Sequence, residues 1–330
     1  MQPQVTVAFQ TDKALSVYGA LAARAEAYGF DGVSVYNDML YQPAWLPLLE
    51  IARQTKRVRI GPAAVNPFTS HPIEIAGNLS LVDAASNGRA YCGFARGAWL
   101  AFIGLNPRKP IASLREALAC VRHLLCQDKA PFMGEQFQLQ GGDSLRWQNI
   151  RADIPFLLGS WGRKTILACL PYVSEIKLGG TANAGAARWL KSFLREQQAD
   201  VDNVGVVCGA VTVVDKNGRA ARQLARREVA LYLPVVAELD PTVTIEPERL
   251  AGIRQAMKSY DVDRAITYIS DEVLQKFAFA GTPDEIIEQS LNLFAAGADR
   301  IEWGTPHGLS AESGLALLGE VVLPNLRGGV

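Results

Sequence analysis

"AEAYGFDGVSVY", residues 25–36, and "LFAAGADRIEWG", residues 293–304, repeat one local pattern near opposite ends of the chain. In both, helix-forming residues run to a glycine suited to the left-handed position just past a helix. An apolar residue and an aspartate follow, and a short apolar strand begins. The pair reads as two turns of one βα repeat.

Between these echoes, short apolar strands alternate with amphipathic helices. Strands are predicted over residues 5–10, 32–36, 58–61, 89–94, 154–158, 175–178, 205–214 and 299–303. Helices are predicted over 14–28, 73–85, 182–198 and 283–296. The last opens with Thr282 as N-cap, Pro283 in the first helical position and Glu285 placed to complete a capping box. Near-continuous apolar strands alternating with helices signal a parallel sheet, and eight such units signal a closed (β/α)8 TIM barrel of the α/β class. An open doubly wound sheet is the competing architecture, and it would need a phosphate fingerprint that the sequence lacks.

The 330 residues exceed the roughly 250 of a plain barrel. The surplus is assigned to two insertions within a single domain spanning 1–330. One lies near 127–150, where "PFMGEQFQLQGGDSLRW" reads as a hairpin-like excursion, and the other is helical sequence over 237–279.

Hydrophobic residues make up 49% of the chain and 33 basic residues balance 33 acidic ones. That balance argues against a phosphate-coated polymer as ligand, so no nucleic acid is expected. No stretch approaches the ~18 uninterrupted apolar residues of a membrane span, and the amino terminus lacks a basic segment followed by an apolar one. The chain is read as cytoplasmic, with no membrane partner. Its five cysteines are scattered without CxxC spacing, which suggests buried small hydrophobes rather than a disulfide framework. The three histidines are isolated in sequence, and no metal is expected.

Two apparent nucleotide motifs fail on inspection. "GSWGRKT", residues 159–165, interposes Arg163 where a P-loop needs glycine before Lys-Thr, and "GFARG", residues 93–97, lacks the third glycine of GxGxxG. In a barrel the chemistry sits where strands finish. The residues at or just past the predicted strand ends include Gln10, Asn37, Asp38, Ala63, Ala64, Arg96, Gly97, Trp161, Gly179, Gly180 and Thr181. Small residues at the third and fourth strand ends let a flat ligand lie against backbone, with tight core packing as the equal alternative. "LGGTAN" and "WGTPHG" are candidate phosphate cradles, or simply strand ends. Tyr36, Tyr41, Trp45, Trp99, Phe102 and Trp161 suggest an aromatic-lined mouth.

"IGPAAVNPFTSHP", "GRAYCGFARGAW", "PFLLGSWGRKTILA", "IKLGGTAN" and "FAGTPDEIIEQSLNLFAAGADRIEWGTPHG" occur in the order and spacing of the bacterial luciferase-like superfamily. The resemblance covers nearly the whole chain, and it resembles most the branch of coenzyme F420-dependent methylenetetrahydromethanopterin reductases. It implies a (β/α)8 barrel that holds a deazaflavin or flavin at the carboxy ends of the strands. It also implies a non-proline cis peptide between Ala63 and Ala64, flanked by Pro62 and Pro67, which restrict the neighbouring backbone.

By resemblance, Asp38 stands at the catalytic position after the second strand. Relatives often have histidine preceded by aspartate there, where this chain has Asn37 and Asp38. The same resemblance gives a cofactor-binding set of Asp38, Ala63, Ala64, Arg96, Gly97, Gly179, Gly180 and Thr181. Glu302 and His307 are candidates to face the pocket, and His71 is read as a helix-start residue. The expected activity is hydride transfer between coenzyme F420 and a small organic substrate, in a homodimer. The alternatives are a monooxygenase using reduced FMN and molecular oxygen, and a non-catalytic barrel.

Overall fold

The computed structural model describes residues 3–197 and 204–328. Its strands, in chain order, are β1 Gln4–Phe9, β2 Gly32–Val35, β3 Arg59–Pro62, β4 Cys92–Ala95, β5 Phe132–Met133, β6 Gln138–Leu139, β7 Phe156–Gly159, β8 Glu175–Gly179, β9 Gly205–Val214, β10 Ala278–Gly281 and β11 Arg300–Gly308. The eight predicted strands correspond to all of these except β5, β6 and β10. Parallel strands joined by helical crossovers make the fold a (β/α)8 barrel. The pair β5 and β6 is an antiparallel hairpin in the first insertion. No described helix is long and apolar enough to cross a membrane.

The chain divides into two compact units, the first comprising Phe9–Ala27 and Asp31–Ile176. Within it β2 pairs with β3 from Gly32 opposite Arg59 to Val35 opposite Pro62, and β4 pairs with β7 from Cys92 opposite Phe156 to Ala95 opposite Gly159. Isolated parallel bridges link Ile60 of β3 to Ala90, and Val65, beyond β3, to Phe94 of β4. Val33, Val35, Ile60, Phe94, Phe156 and Leu158 are buried along these strands, the near-continuous apolar character a parallel sheet requires. His71 caps the helix Pro72–Ala85, its ring nitrogen accepting the Ile73 N–H at 3.2 Å with Pro72 in the first turn. That is the helix-start role read from sequence.

The second unit comprises Met1–Ala8, Tyr28–Phe30 and Lys177–Val330. Here β1 pairs with β11, β11 with β9 and β9 with β10, all parallel. The capping box at the helix Pro283–Ala295 is present in full. The helix predicted over 182–198 is Ala184–Glu196, and its expected last residue, Gln198, lies outside the described residues. Residues 233–277 supply four helices, Leu233–Leu239, Pro247–Lys258, Val262–Ile266 and Asp271–Phe277.

Two strand expectations change. β10 was not predicted, and β11 runs to Gly308 instead of ending at Trp303. Pro306 lacks an N–H for the ladder. A register shift between Gly304 and His307 accommodates it, so His307 and Gly308 resume pairing opposite Val213 and Val214. "WGTPHG" is therefore strand, not a phosphate loop.

Four cysteines are buried as expected, but Cys126 is exposed at the end of the helix Pro110–Leu125. Burial pushes the Cys92 thiol well up, Cys120 up to about 11, and Cys169 and Cys208 up to about 12. Because the thiolate is the nucleophile, a thiol reagent at mildly alkaline pH is expected to modify Cys126 alone in the native protein. The other four should react only after denaturation, a difference read by counting labels by mass.

Candidate active site

In the first unit the strand-end residues are held by short backbone links. Asp38, half-buried, follows β2, and its Oδ2 accepts the Gln10 Nε2–H at 2.8 Å. Asn37 faces a different task, since its Oδ1 accepts the Ala44 N–H at 3.0 Å and fixes the loop into the helix Trp45–Gln54. After β3, the Ala63 N–H donates to Val35 O at 2.8 Å and the Val65 N–H to Gly93 O at 2.8 Å. The Ala63–Ala64 peptide is cis, and both residues are half-buried.

Glycine at 93 is required by this arrangement, because a Cβ there would lie 2.5 Å from Pro62 O. Beyond β4, Arg96 is exposed. Gly97, at φ 85°, packs on Asn66, whose Oδ1 accepts the N–H groups of Phe68 and Thr69, each at 3.0 Å. Of the aromatic residues suggested for the mouth, Tyr41, Trp99 and Phe102 are exposed, while Tyr36, Trp45 and Trp161 are half-buried.

In the second unit the loop after β8 is built from within. The N–H groups of Gly180 and Thr181 both donate to Gly209 O, at 2.7 and 3.1 Å, and the Ala182 N–H donates to Lys276 O at 2.9 Å. Thr181 is fully buried; its hydroxyl donates to Lys276 O at 3.3 Å and accepts the Asn183 N–H at 3.1 Å. Thr181 thus shapes the loop. Gly179 is half-buried, and a Cβ there would meet nothing within 4 Å, so this is the open side of the loop.

Gly180 takes φ 77°, and a Cβ on it would lie 2.7 Å from Val236 and 3.1 Å from Tyr232. The expected cost of Gly180→Ala is about 2–4 kcal/mol, from left-handed strain plus overpacking. Urea unfolding of the variant measures it.

Neither candidate on the last strand offers an exposed group. Glu302 is fully buried and pairs through Oε1 with Lys177 and through Oε2 with Arg300 Nη1 at 3.5 Å, and Arg300 also donates to Thr6 Oγ1 at 3.1 Å. His307 is buried with Nε2 at 3.2 Å from Trp303 O. Lys177 and Gln10 were not singled out as partners, because their carboxylates lie 125 and 28 residues away in sequence. Among the described residues, no group of three or more His, Cys, Asp or Glu is placed to hold a metal ion.

In a (β/α)8 barrel the chemistry is carried at the carboxy ends of the strands, and in the first unit the half-buried carboxylate of Asp38 follows β2 there. The chain belongs to the luciferase-like monooxygenase family, whose sequence profile matches residues 3–300. It is 27% identical over 320 residues to the 5,10-methylenetetrahydromethanopterin reductase of Archaeoglobus fulgidus, covering 92% of this chain and 93% of that one.

Among solved structures, it superposes on the coenzyme F420 dependent tetrahydromethanopterin reductase from Methanopyrus kandleri with a TM-score of 0.90 and 22% identity, covering 99% of this chain and 100% of the other. An F420-dependent secondary alcohol dehydrogenase in complex with an F420-acetone adduct gives a TM-score of 0.77 and 17% identity, covering 99% and 100%. These two superpositions establish the fold.

Proposed function

We propose that the chain is an oxidoreductase that uses coenzyme F420 to exchange a hydride with a small organic substrate. The observation that carries this reading is the end-to-end similarity to a methylenetetrahydromethanopterin reductase, over 92% of this chain. The residues present suit a planar cofactor bearing a phosphate. Ala63 and Ala64 leave backbone accessible on the strand end, Gly179 leaves open space beside its loop, and Arg96 is an exposed cation after β4. When bound, the deazaflavin supplies a two-electron hydride carrier, and the protein supplies orientation and electrostatics.

In this reading Ala63, Ala64 and Gly97 support the ring system. In the second unit Gly179 and Gly180, with their turn held by Thr181, are the residues assigned to the cofactor phosphate, and in the first unit Arg96 is the assigned cationic contributor. Asp38 is the group that holds or moves a proton, through the oxygen that Gln10 leaves available. A homodimer belongs to the same proposal: Leu46, Ile73 and Leu81 are exposed on the helices after β2 and β3.

The second reading, a monooxygenase using reduced FMN, is favoured by the family to which the chain belongs. Oxygen uptake separates the two. With reduced FMN and a panel of small alcohols, aldehydes and reduced pterins, the proposal expects no protein-dependent oxygen consumption. With F420 and the same panel it expects a change in deazaflavin absorbance for at least one compound. Protein-dependent oxygen consumption with FMN, and no absorbance change with F420, would establish the monooxygenase instead.

A further inference from the structure

Gln10 stands one residue past β1 with its side-chain amide engaged at both ends. Oε1 accepts the Thr11 N–H at 2.8 Å, and Nε2 donates to Asp38 Oδ2 at 2.8 Å. An amide whose carbonyl oxygen is committed to a backbone N–H has a defined orientation, so its NH2 end is the one that faces Asp38. The backbone beneath is anchored as well. Gln10 O accepts the hydroxyl of fully buried Tyr18 at 3.1 Å, and that same oxygen of Tyr18 accepts the Lys13 N–H at 3.0 Å.

The opposite loop is fastened to this one. The Gln42 N–H donates to Thr11 O at 3.2 Å, and the Gln42 side-chain amide donates to Lys13 O at 2.7 Å. The Tyr41 N–H donates to Asp38 O at 3.3 Å. The backbone on both sides of the Gln10 to Asp38 hydrogen bond is thereby tied into the fold.

We propose that Gln10 is the positioning residue for Asp38, holding Oδ2 so that Oδ1 is the oxygen presented to cofactor or substrate. The proposal rests on the assignment of Asp38 as the proton-handling carboxylate of an F420 enzyme. It adds a residue that acts only through Asp38, and the chemistry makes an unusual demand on its replacements. Gln10→Glu keeps the length and the acceptor for Thr11 but sets one carboxylate against another. Gln10→Met keeps the length and loses both hydrogen bonds.

The test is a tryptophan-fluorescence titration with F420 of the unaltered chain, Gln10→Met and Gln10→Glu. It is repeated for each of the three in an Asp38→Asn background, with thermal unfolding in parallel. Gln10→Met is expected to weaken binding roughly tenfold and Gln10→Glu by more, with the difference vanishing once Asp38 is Asn. A residue that merely packs gives the reverse order, because Glu retains the Thr11 bond that Met loses.

That reverse order, or the same order in both backgrounds, overturns the proposal. Should Gln10→Glu fail to fold, the Gln10→Met loss must still depend on Asp38, and equal losses in the two backgrounds overturn it. Failure of the unaltered chain to bind F420 removes the deazaflavin reading and this inference together. Binding with the wrong order removes this inference alone.

Discussion

Glu302→Leu is expected to lower the free energy of unfolding by about 3–5 kcal/mol, the usual cost of removing one member of a buried ion pair. Glu302 has no exposed surface and lies between Lys177 and Arg300, whose side chains are 11% and 3% exposed. Leucine fills much of the volume but takes away the carboxylate that both cations face. The damage is therefore electrostatic rather than steric. The double variant Lys177→Met, Glu302→Leu removes one of the stranded charges and is expected to be more stable than Glu302→Leu alone. Urea unfolding of the two variants checks this, and a double variant no better than the single one would mean that packing, not charge, governs the cluster.

The second large effect is expected at Arg89, in the turn "SNGR" that leads toward β4. Its guanidinium donates to Ser86 O at 2.7 Å, Val58 O at 2.7 Å, Thr55 O at 2.8 Å, Ala52 O at 3.1 Å and Thr55 Oγ1 at 3.0 Å. One side chain thus satisfies the end of the helix Trp45–Gln54, the approach to β3 and the end of the helix Pro72–Ala85. Arg89→Met leaves these acceptors to water or to nothing, at an expected cost of about 3–4 kcal/mol. Arg89→Lys should recover less than half of that, because an ammonium is a point donor and cannot span a fork of five acceptors. Denaturant midpoints for the two variants decide it; a fully restored midpoint in the lysine variant would show that charge alone suffices.

Why the barrel was legible from sequence while its polar interior was not follows from the range of the forces involved. The helix, glycine, aspartate and strand grammar is local: Gly29 and Gly297 take φ 92° and 101°, as the left-handed position requires. In the second copy the aspartate also does structural work, since Asp299 Oδ2 accepts the Val206 N–H at 2.7 Å and pairs with Lys191. The capping box at Thr282 and the His71 cap were likewise readable because each spans only three or four residues.

The strand β10 was missed because "AFAG" follows the helix Asp271–Phe277 with no turn residue between them, and its identity depends on pairing with Val211–Val214 of a strand far away in sequence. The length of β11 was missed because proline ordinarily ends a strand, whereas here a register shift absorbs it.

Around the proposed site residues, sequence named candidates but not their hydrogen-bond partners. Asp38 was legible as a polar residue after β2, while the amide that orients it depends on the fold to bring β1 and β2 ends together. "LGGTAN" was read as a phosphate cradle or simply a strand end, and the structure engages the Gly180 and Thr181 N–H groups with Gly209 O. No sequence pattern announces that engagement. The open side of that loop lies at Gly179, where a Cβ would meet nothing within 4 Å.

The measurement that bears most directly on the central claim is a parallel titration of the purified chain with F420, FMN and reduced FMN, followed by quenching of intrinsic tryptophan fluorescence. Micromolar or tighter binding of F420, with FMN species at least a hundredfold weaker, is the result this account predicts. Tight binding of FMN or reduced FMN with no response to F420 would contradict it.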